Sequence, residues 1–126
     1  MSPQRILIVS NEALSASVRD ALEQRGFIVT VAADSERADG ELARSLVALV
    51  IVVVADGING IELIKRIRAT PTLKRALILV VAAWGAGAAT LALSQGADAY
   101  EPRPLEANRL LASVERLLLR QAVMIK

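Results

Sequence analysis

The stretch VALVIVVVADGINGIELIKRIR, residues 47–68, decides how the chain folds. It opens with a run of β-branched residues, as in a strand buried on both faces of a sheet. Asp56-Gly57 is a typical turn dipeptide, and Asn59 is a good cap for a helix. That helix places isoleucines on one face, at positions 61, 64 and 67. The stretch therefore predicts a buried strand, a short turn and an amphipathic helix.

The same order of strand and helix recurs along the whole chain. The predicted strands cover residues 6–9, 27–31, 49–54, 76–83 and 99–101. The predicted helices cover about 11–26, 34–44, 59–69, 86–95 and 106–121. Alternation with short connections predicts a parallel sheet with helices on both faces. We therefore expect one α/β domain over residues 1–126, with a doubly wound sheet of five strands.

Composition excludes several classes of function. The chain has no cysteine and no histidine, which excludes disulfides, Cys/His zinc sites and catalytic triads based on histidine. Its net charge is only +2 and the basic residues are scattered, so we expect no nucleic-acid binding by this domain. The sequence shows no signal-peptide pattern and no apolar run long enough to cross a membrane, so we expect a cytoplasmic protein without membrane contact.

In a parallel doubly wound sheet, ligands and chemistry lie beyond the carboxyl ends of the strands. The candidate site residues are therefore those that end or follow each apolar run. They are Ser10, Asn11 and Glu12, then residues 52–56, residues 81–84 and residues 101–103.

Three segments carry a resemblance to a known family. GADAYEPRPL (96–105) is close to GADDYLTKPF of response-regulator receiver domains, and GINGIELIKRIR (57–68) and RILIVSNEAL (5–14) match the third-helix opening and the first strand and turn. The chain therefore resembles that family from residue 5 to about residue 120. The resemblance implies a flavodoxin-like (βα)5 fold and a role in two-component signal transduction.

The same resemblance implies where the family's chemical residues fall. The acidic pair that holds Mg²⁺ in the family falls on Ser10 and Asn11, and the phospho-accepting aspartate on Val52. The hydroxyl position falls on Val81, or on Ala82 if the register slips by one. The lysine falls on Arg103, and the aromatic switch position is kept as Tyr100.

These substitutions remove the chemistry of the family. Phosphoryl transfer needs an oxygen nucleophile and a metal to neutralise charge, and valine has no lone pair. Mg²⁺ prefers oxygen ligands that include carboxylates. We therefore expect no enzyme activity, no catalytic residue, no metal and no cofactor. Glu12 or Asp56 could pair with Arg103 as a fixed counter-charge.

The main hypothesis is a degenerate receiver, or pseudo-receiver, in bacterial signalling. It would act as a phosphorylation-independent protein-interaction module, with an interaction face that includes Trp84, Tyr100 and Leu119. A homodimer through the fourth helix, fifth strand and fifth helix is one form of that interaction. The end of the last helix, beyond Leu118, could instead pack on its own domain or continue into a further segment.

Other functions remain open at this point. One is a small-ligand sensor, in which Arg103 and backbone N–H groups at helix N-termini receive an anion. A second is an active receiver that uses another acceptor, such as Asp56. The segment WGAGAAT (84–90) resembles a dinucleotide-binding loop, but it has Thr90 in place of the third glycine and follows the fourth strand rather than the first.

Overall fold

The computed structural model describes residues 4–10, 15–54, 60–73, 75–82, 86–102 and 106–125. The side chains of residues 15, 86–89 and 121–125 are outside that description. Strands and helices alternate through the described chain. The strands are β1 (Arg5–Val9), β2 (Ile28–Ala32), β3 (Leu49–Val53), β4 (Leu77–Ala82) and β5 (Ala99–Pro102). The helices are α1 (Ser15–Gln24), α2 (Ser35–Arg44), α3 (Gly60–Ala69), α4 (Ala86–Ser94) and α5 (Ala107–Ile125).

The five strands form one parallel sheet in the order β2-β1-β3-β4-β5. Strand order therefore reverses at β1, with β2 on one side and β3 on the other. The predicted fold class is confirmed. Predicted strand ends differ from the observed ends by one residue at most places, because the ladder ends where pairing ends rather than where the apolar run ends.

Two layers of apolar side chains fill the space between the sheet and its helices. One layer lies between the sheet and α2, α3 and α4, and it includes Leu7, Val50 and Ile78. The other lies between the sheet and α1 and α5, and it includes Ile6, Ile51 and Leu79. Successive strand residues alternate between the two layers, as the twofold period of a strand requires.

Local sequence signals set several helix ends. Asp34 caps α2, since its carboxylate accepts a 2.8 Å hydrogen bond from the Arg37 backbone N–H. Gly26 and Gly96 follow α1 and α4 with φ of +91° and +117°, the left-handed conformation that favours glycine after a helix. These capping positions agree with the sequence prediction.

Two features at the ends of helices were not predicted. A turn of 3₁₀-helix, Pro71–Leu73, follows α3, where the sequence predicts only a chain break at Thr70-Pro71. Helix α5 continues to Ile125, four residues beyond the predicted end, because no glycine or proline stops it. No helix in the described part of the chain is long and apolar enough to span a membrane.

Candidate functional site

Val52 lies at the carboxyl end of β3, in the centre of the sheet. Its side chain is 0% exposed and belongs to the layer under α2, α3 and α4. It stands in register with Val9 of β1 and Val80 of β4. The centre of this edge of the sheet is therefore filled by aliphatic side chains, which carry no oxygen or nitrogen.

The first residue of α3 closes over Val52. A Cβ atom placed on Gly60 would lie 2.7 Å from Cγ2 of Val54 and 3.5 Å from Cγ1 of Val52. The helix backbone thus approaches the end of β3 so closely that only a residue without a side chain fits without adjustment. The approach leaves Val52 covered by protein.

The register of β4 distinguishes the two residues considered for the hydroxyl position. Ala82 belongs to the same apolar layer as Val52, whereas Val81 belongs to the layer under α1 and α5. Because neighbouring strand residues point to opposite faces, only Ala82 shares a face with Val52. Ala82 has a methyl group where a hydroxyl would be needed.

Tyr100 of β5 stands in register with Val80 of β4, two residues before Ala82. Its half-buried ring packs on the layer that contains Val52, and its hydroxyl donates a 3.4 Å hydrogen bond to the Ala82 carbonyl oxygen. A bond of this length is weak. The aromatic side chain is therefore directed inward along β5 rather than fully into solvent.

Ser10 follows β1 at the same edge and is buried, with its backbone N–H donating a 2.9 Å hydrogen bond to the Ala32 carbonyl. Five other predicted site residues lie outside the described residues: Asn11, Glu12, Asp56, Trp84 and Arg103. The proposed pairing of Arg103 with Glu12 or Asp56 therefore stays a prediction.

Glu101 is also predicted to lie at this edge, and it is the only one of the predicted acidic residues there that the structure describes. Its side chain is mostly buried, with Oε1 4.0 Å from Nε of Arg109 in α5, and that oxygen accepts no hydrogen bond from any residue that the structure describes. From the sequence, Glu101 is a possible internal partner of Arg103, and that pairing lies outside the described residues. A signal at this position is also present, since the matching position of the family segment GADDYLTKPF holds leucine.

The predicted interaction face of Trp84, Tyr100 and Leu119 stays a prediction, since Trp84 lies outside the described residues. Leu119 is 68% exposed and lies four residues after Glu115, whose carboxylate is 2.8 Å from Arg25 beyond the end of α1. At about 100° per residue, Leu119 lies about 40° around the helix from Glu115 and about 80° from Arg109, in the arc between the two. Leu119 is thus on the part of α5 between the side that meets Arg25 and the side that carries Arg109.

The fourth helix, one of the elements expected in a homodimer interface, carries two exposed leucines that were not singled out from the sequence. Leu91 and Leu93 of α4 are 49% and 47% exposed, and Ala92 between them is buried. Because residues two positions apart differ by about 200° around a helix, the two leucines lie on opposite flanks of the buried face of α4. The signal for them is the lack of any charged residue between Arg75 and Asp98. A surface helix usually has a charged or polar face toward water, so its absence favours a contact surface.

The strand order and the position of the site at the carboxyl edge define a doubly wound α/β domain. The sequence model of the family described as response regulator receiver domain matches residues 6–115. The chain belongs to the response regulator receiver domain family. It is therefore a signalling domain of the two-component type.

Curated relatives and solved structures agree with this assignment. The chain is 33% identical over 122 residues to the phosphate regulon transcriptional regulatory protein PhoB of Rhizobium meliloti, covering 95% of this chain and 54% of that protein. It is 32% identical over 117 residues to the transcriptional regulatory protein CpxR of Escherichia coli K12, covering 92% and 50%. The chain thus spans about half the length of these relatives.

Among solved structures, a response regulator from Thermotoga maritima superposes with a TM-score of 0.81 at 27% identity, covering 90% of this chain and 96% of that one. A CheY-like receiver domain protein from Methanospirillum hungatei superposes with a TM-score of 0.87 at 24% identity, covering 98% and 99%. The second comparison bears on the fold alone.

The described residues do not fit the Mg²⁺ ion that the family resemblance implies. Val52 and Ala82 have only hydrocarbon side chains, and Ser10 offers a neutral hydroxyl. Mg²⁺ is a hard ion that takes oxygen ligands, usually with carboxylates among them. Within the described ranges, no three Asp, Glu, His or Cys residues cluster as metal ligands do.

Proposed function

We propose that this domain is a pseudo-receiver that works in bacterial two-component signalling without being phosphorylated. Val52 is the observation that carries the proposal. A fully buried valine stands at the carboxyl end of the central strand, which is where the family resemblance implies the phospho-accepting aspartate. Without an oxygen at that position there is no nucleophile for phosphoryl transfer.

The surroundings of Val52 support the same proposal. The Gly60 backbone packs against the end of β3, and Ala82 has no hydroxyl that could bond a phosphoryl oxygen. A buried group of like charges is costly when no metal balances it, whereas packed valine is not. The domain would therefore hold one dominant conformation instead of switching between two.

We propose that the domain acts by binding another protein through α4 and β5. Exposed Leu91 and Leu93 lie on the two flanks of a helix that has no charged residue, and a surface helix without a charged face favours contact with another protein. The occupant is a signalling partner or a second copy of the chain. The matched relatives carry names of transcriptional regulators, and we propose that this domain contacts protein, not DNA, in any such assembly.

Incubation with Mg²⁺ and then acetyl phosphate tests the loss of chemistry. Amide NMR should show no saturable shift at Ser10 or Val52, and the intact mass should not rise by one phosphoryl group. The decisive control is Asp56→Asn. A phosphoryl gain in the native chain that disappears in Asp56→Asn would identify a substitute acceptor and contradict the proposal. Asp39→Asn, on α2, is the matched variant that should change nothing in either case.

A further inference from the structure

A cleft lies between α2 and α3, away from Val52. Helix α3 begins beside Val52 and runs antiparallel to the strands, so its last turn lies at the amino edge of the sheet. The cleft has a volume of about 350 Å³, which lies within the usual range for small-molecule sites. The described residues that line it belong to α2, α3, the 3₁₀ turn and Thr70 between the last two.

The floor of the cleft is aliphatic. Leu42 of α2, Ile67 of α3 and Leu73 of the 3₁₀ turn line it, and each is largely buried against the protein core. These three side chains have no hydrogen-bonding group to offer. Thr70 and Thr72 also line the cleft, and the Thr70 hydroxyl donates to the Arg66 backbone carbonyl. The aliphatic floor favours an aliphatic group of a ligand over a polar or charged one.

The rim of the cleft carries two opposite charges on two different helices. The guanidinium of Arg66 on α3 lies 3.1 Å from the carboxylate of Asp39 on α2, and the two side chains are 44% and 48% exposed. Exposed ion pairs of this kind add little stability. Arg66 can therefore exchange Asp39 for a ligand carboxylate, and Asp39 can exchange Arg66 for a ligand ammonium group, at a small cost in free energy.

We propose that this cleft binds an aliphatic α-amino acid. The carboxylate of the amino acid pairs with Arg66, its ammonium group pairs with Asp39, and its side chain covers Leu42, Ile67 and Leu73. A zwitterion satisfies both charges of the rim at once. A simple carboxylate or a simple amine leaves one of the two residues without an opposite charge. The site is independent of the proposed function and of Arg103.

Amide NMR of the whole chain with L-leucine tests the proposal. Saturable shifts are expected at Leu42, Ile67 and Leu73. Three probes isolate the parts of the ligand: glycine lacks the side chain, 4-methylpentanoate lacks the ammonium group, and 3-methylbutylamine lacks the carboxylate. Each should bind at least tenfold more weakly than leucine.

Two variants of the rim complete the test. Asp39→Asn and Arg66→Gln should each weaken leucine binding at least tenfold, while Glu41→Gln should not, because Glu41 pairs with Arg44 outside the cleft. All three side chains are at the surface, and thermal unfolding checks that each variant is folded. Absence of saturable shifts with leucine, equal binding of glycine or 4-methylpentanoate, or unchanged binding by Asp39→Asn would each overturn the proposal.

Discussion

The side chain of Arg68, in the last turn of α3, donates a 2.7 Å hydrogen bond to Oδ2 of Asp98 just before β5. The same oxygen accepts a 2.8 Å hydrogen bond from the Ile78 backbone N–H. The guanidinium also donates to the carbonyl oxygens of Gly96, at 2.9 Å, and Ala76, at 2.7 Å. One arginine thus joins the end of α3 to the segments that lead into β4 and β5.

Replacement of Arg68 should loosen this junction. Arg68→Met keeps much of the aliphatic stem but removes the guanidinium donor from two carbonyl groups and leaves the Asp98 carboxylate with the Ile78 N–H and without its cation. We expect the free energy of unfolding to fall by roughly 2 kcal/mol, as hydrogen bonds to charged groups contribute about that much. Urea denaturation measures it. Arg44→Met is the control, since Arg44 pairs with Glu41 at the surface and should cost less than about 0.5 kcal/mol. Equal losses of unfolding free energy in both variants would show that the Arg68 junction contributes no more than a surface ion pair.

Replacement of Val52 by aspartate should lower the stability of the domain. Val52 is fully buried, so Val52→Asp places an unpaired carboxylate in an aliphatic layer. We expect the free energy of unfolding to fall by at least about 3 kcal/mol at neutral pH. Val52→Thr, which has nearly the same shape with one hydroxyl, should cost roughly 1–3 kcal/mol. If Val52→Asp were as stable as the native chain, a cation or a hydrogen-bond donor would have to reach the carboxylate at position 52. The conclusion that position 52 is closed off by aliphatic side chains would then be wrong.

Two glycines should respond to alanine in opposite directions. Gly40 lies within α2 and a Cβ there meets nothing within 4 Å, so Gly40→Ala should stabilise the domain by about 1 kcal/mol through helix propensity. At Gly60 a Cβ would lie 2.7 Å from Cγ2 of Val54, and valine has little freedom to move aside. Gly60→Ala should therefore cost about 1–3 kcal/mol.

A second substitution tests whether contact with Val54 causes the loss of stability in Gly60→Ala. If the clash with Val54 is the cause, adding Val54→Ala to Gly60→Ala should recover part of the loss, and a double-mutant cycle should show that coupling. Denaturant midpoints of the four proteins measure it. Simple additivity of the two changes would mean that Gly60 is needed for another reason.

The sequence was sufficient to predict the architecture because its signals are local and repeated. Continuous apolar runs mark strands buried on both faces, such as β3, and Asp34, Gly26 and Gly96 mark helix ends by capping chemistry that acts within a few residues. The register of β4 was ambiguous from sequence, and pairing with β3 was needed to place Ala82 on the Val52 face.

Contacts between distant residues could not be predicted in this way. Arg68 and Asp98 are 30 positions apart and nothing in their neighbouring residues marks them as partners. The predicted grouping of Leu119 with Tyr100 needs the same kind of information. Both residues are on the expected elements, but whether they share a surface depends on how α5 packs against β5, and the grouping stays a prediction.

The α4 surface gives the most direct test of how the domain acts. If Leu91 and Leu93 bind a partner or a second copy, Leu91→Gln with Leu93→Gln should abolish concentration-dependent association, or capture of a signalling partner, while the free energy of unfolding changes by less than about 0.5 kcal/mol per site. Sedimentation velocity at several concentrations measures self-association. The matched control is Leu46→Gln, because Leu46 is 77% exposed but precedes β3, away from α4. Loss of association in the Leu46 variant, or its persistence in the α4 variant, would exclude α4 as the contact surface.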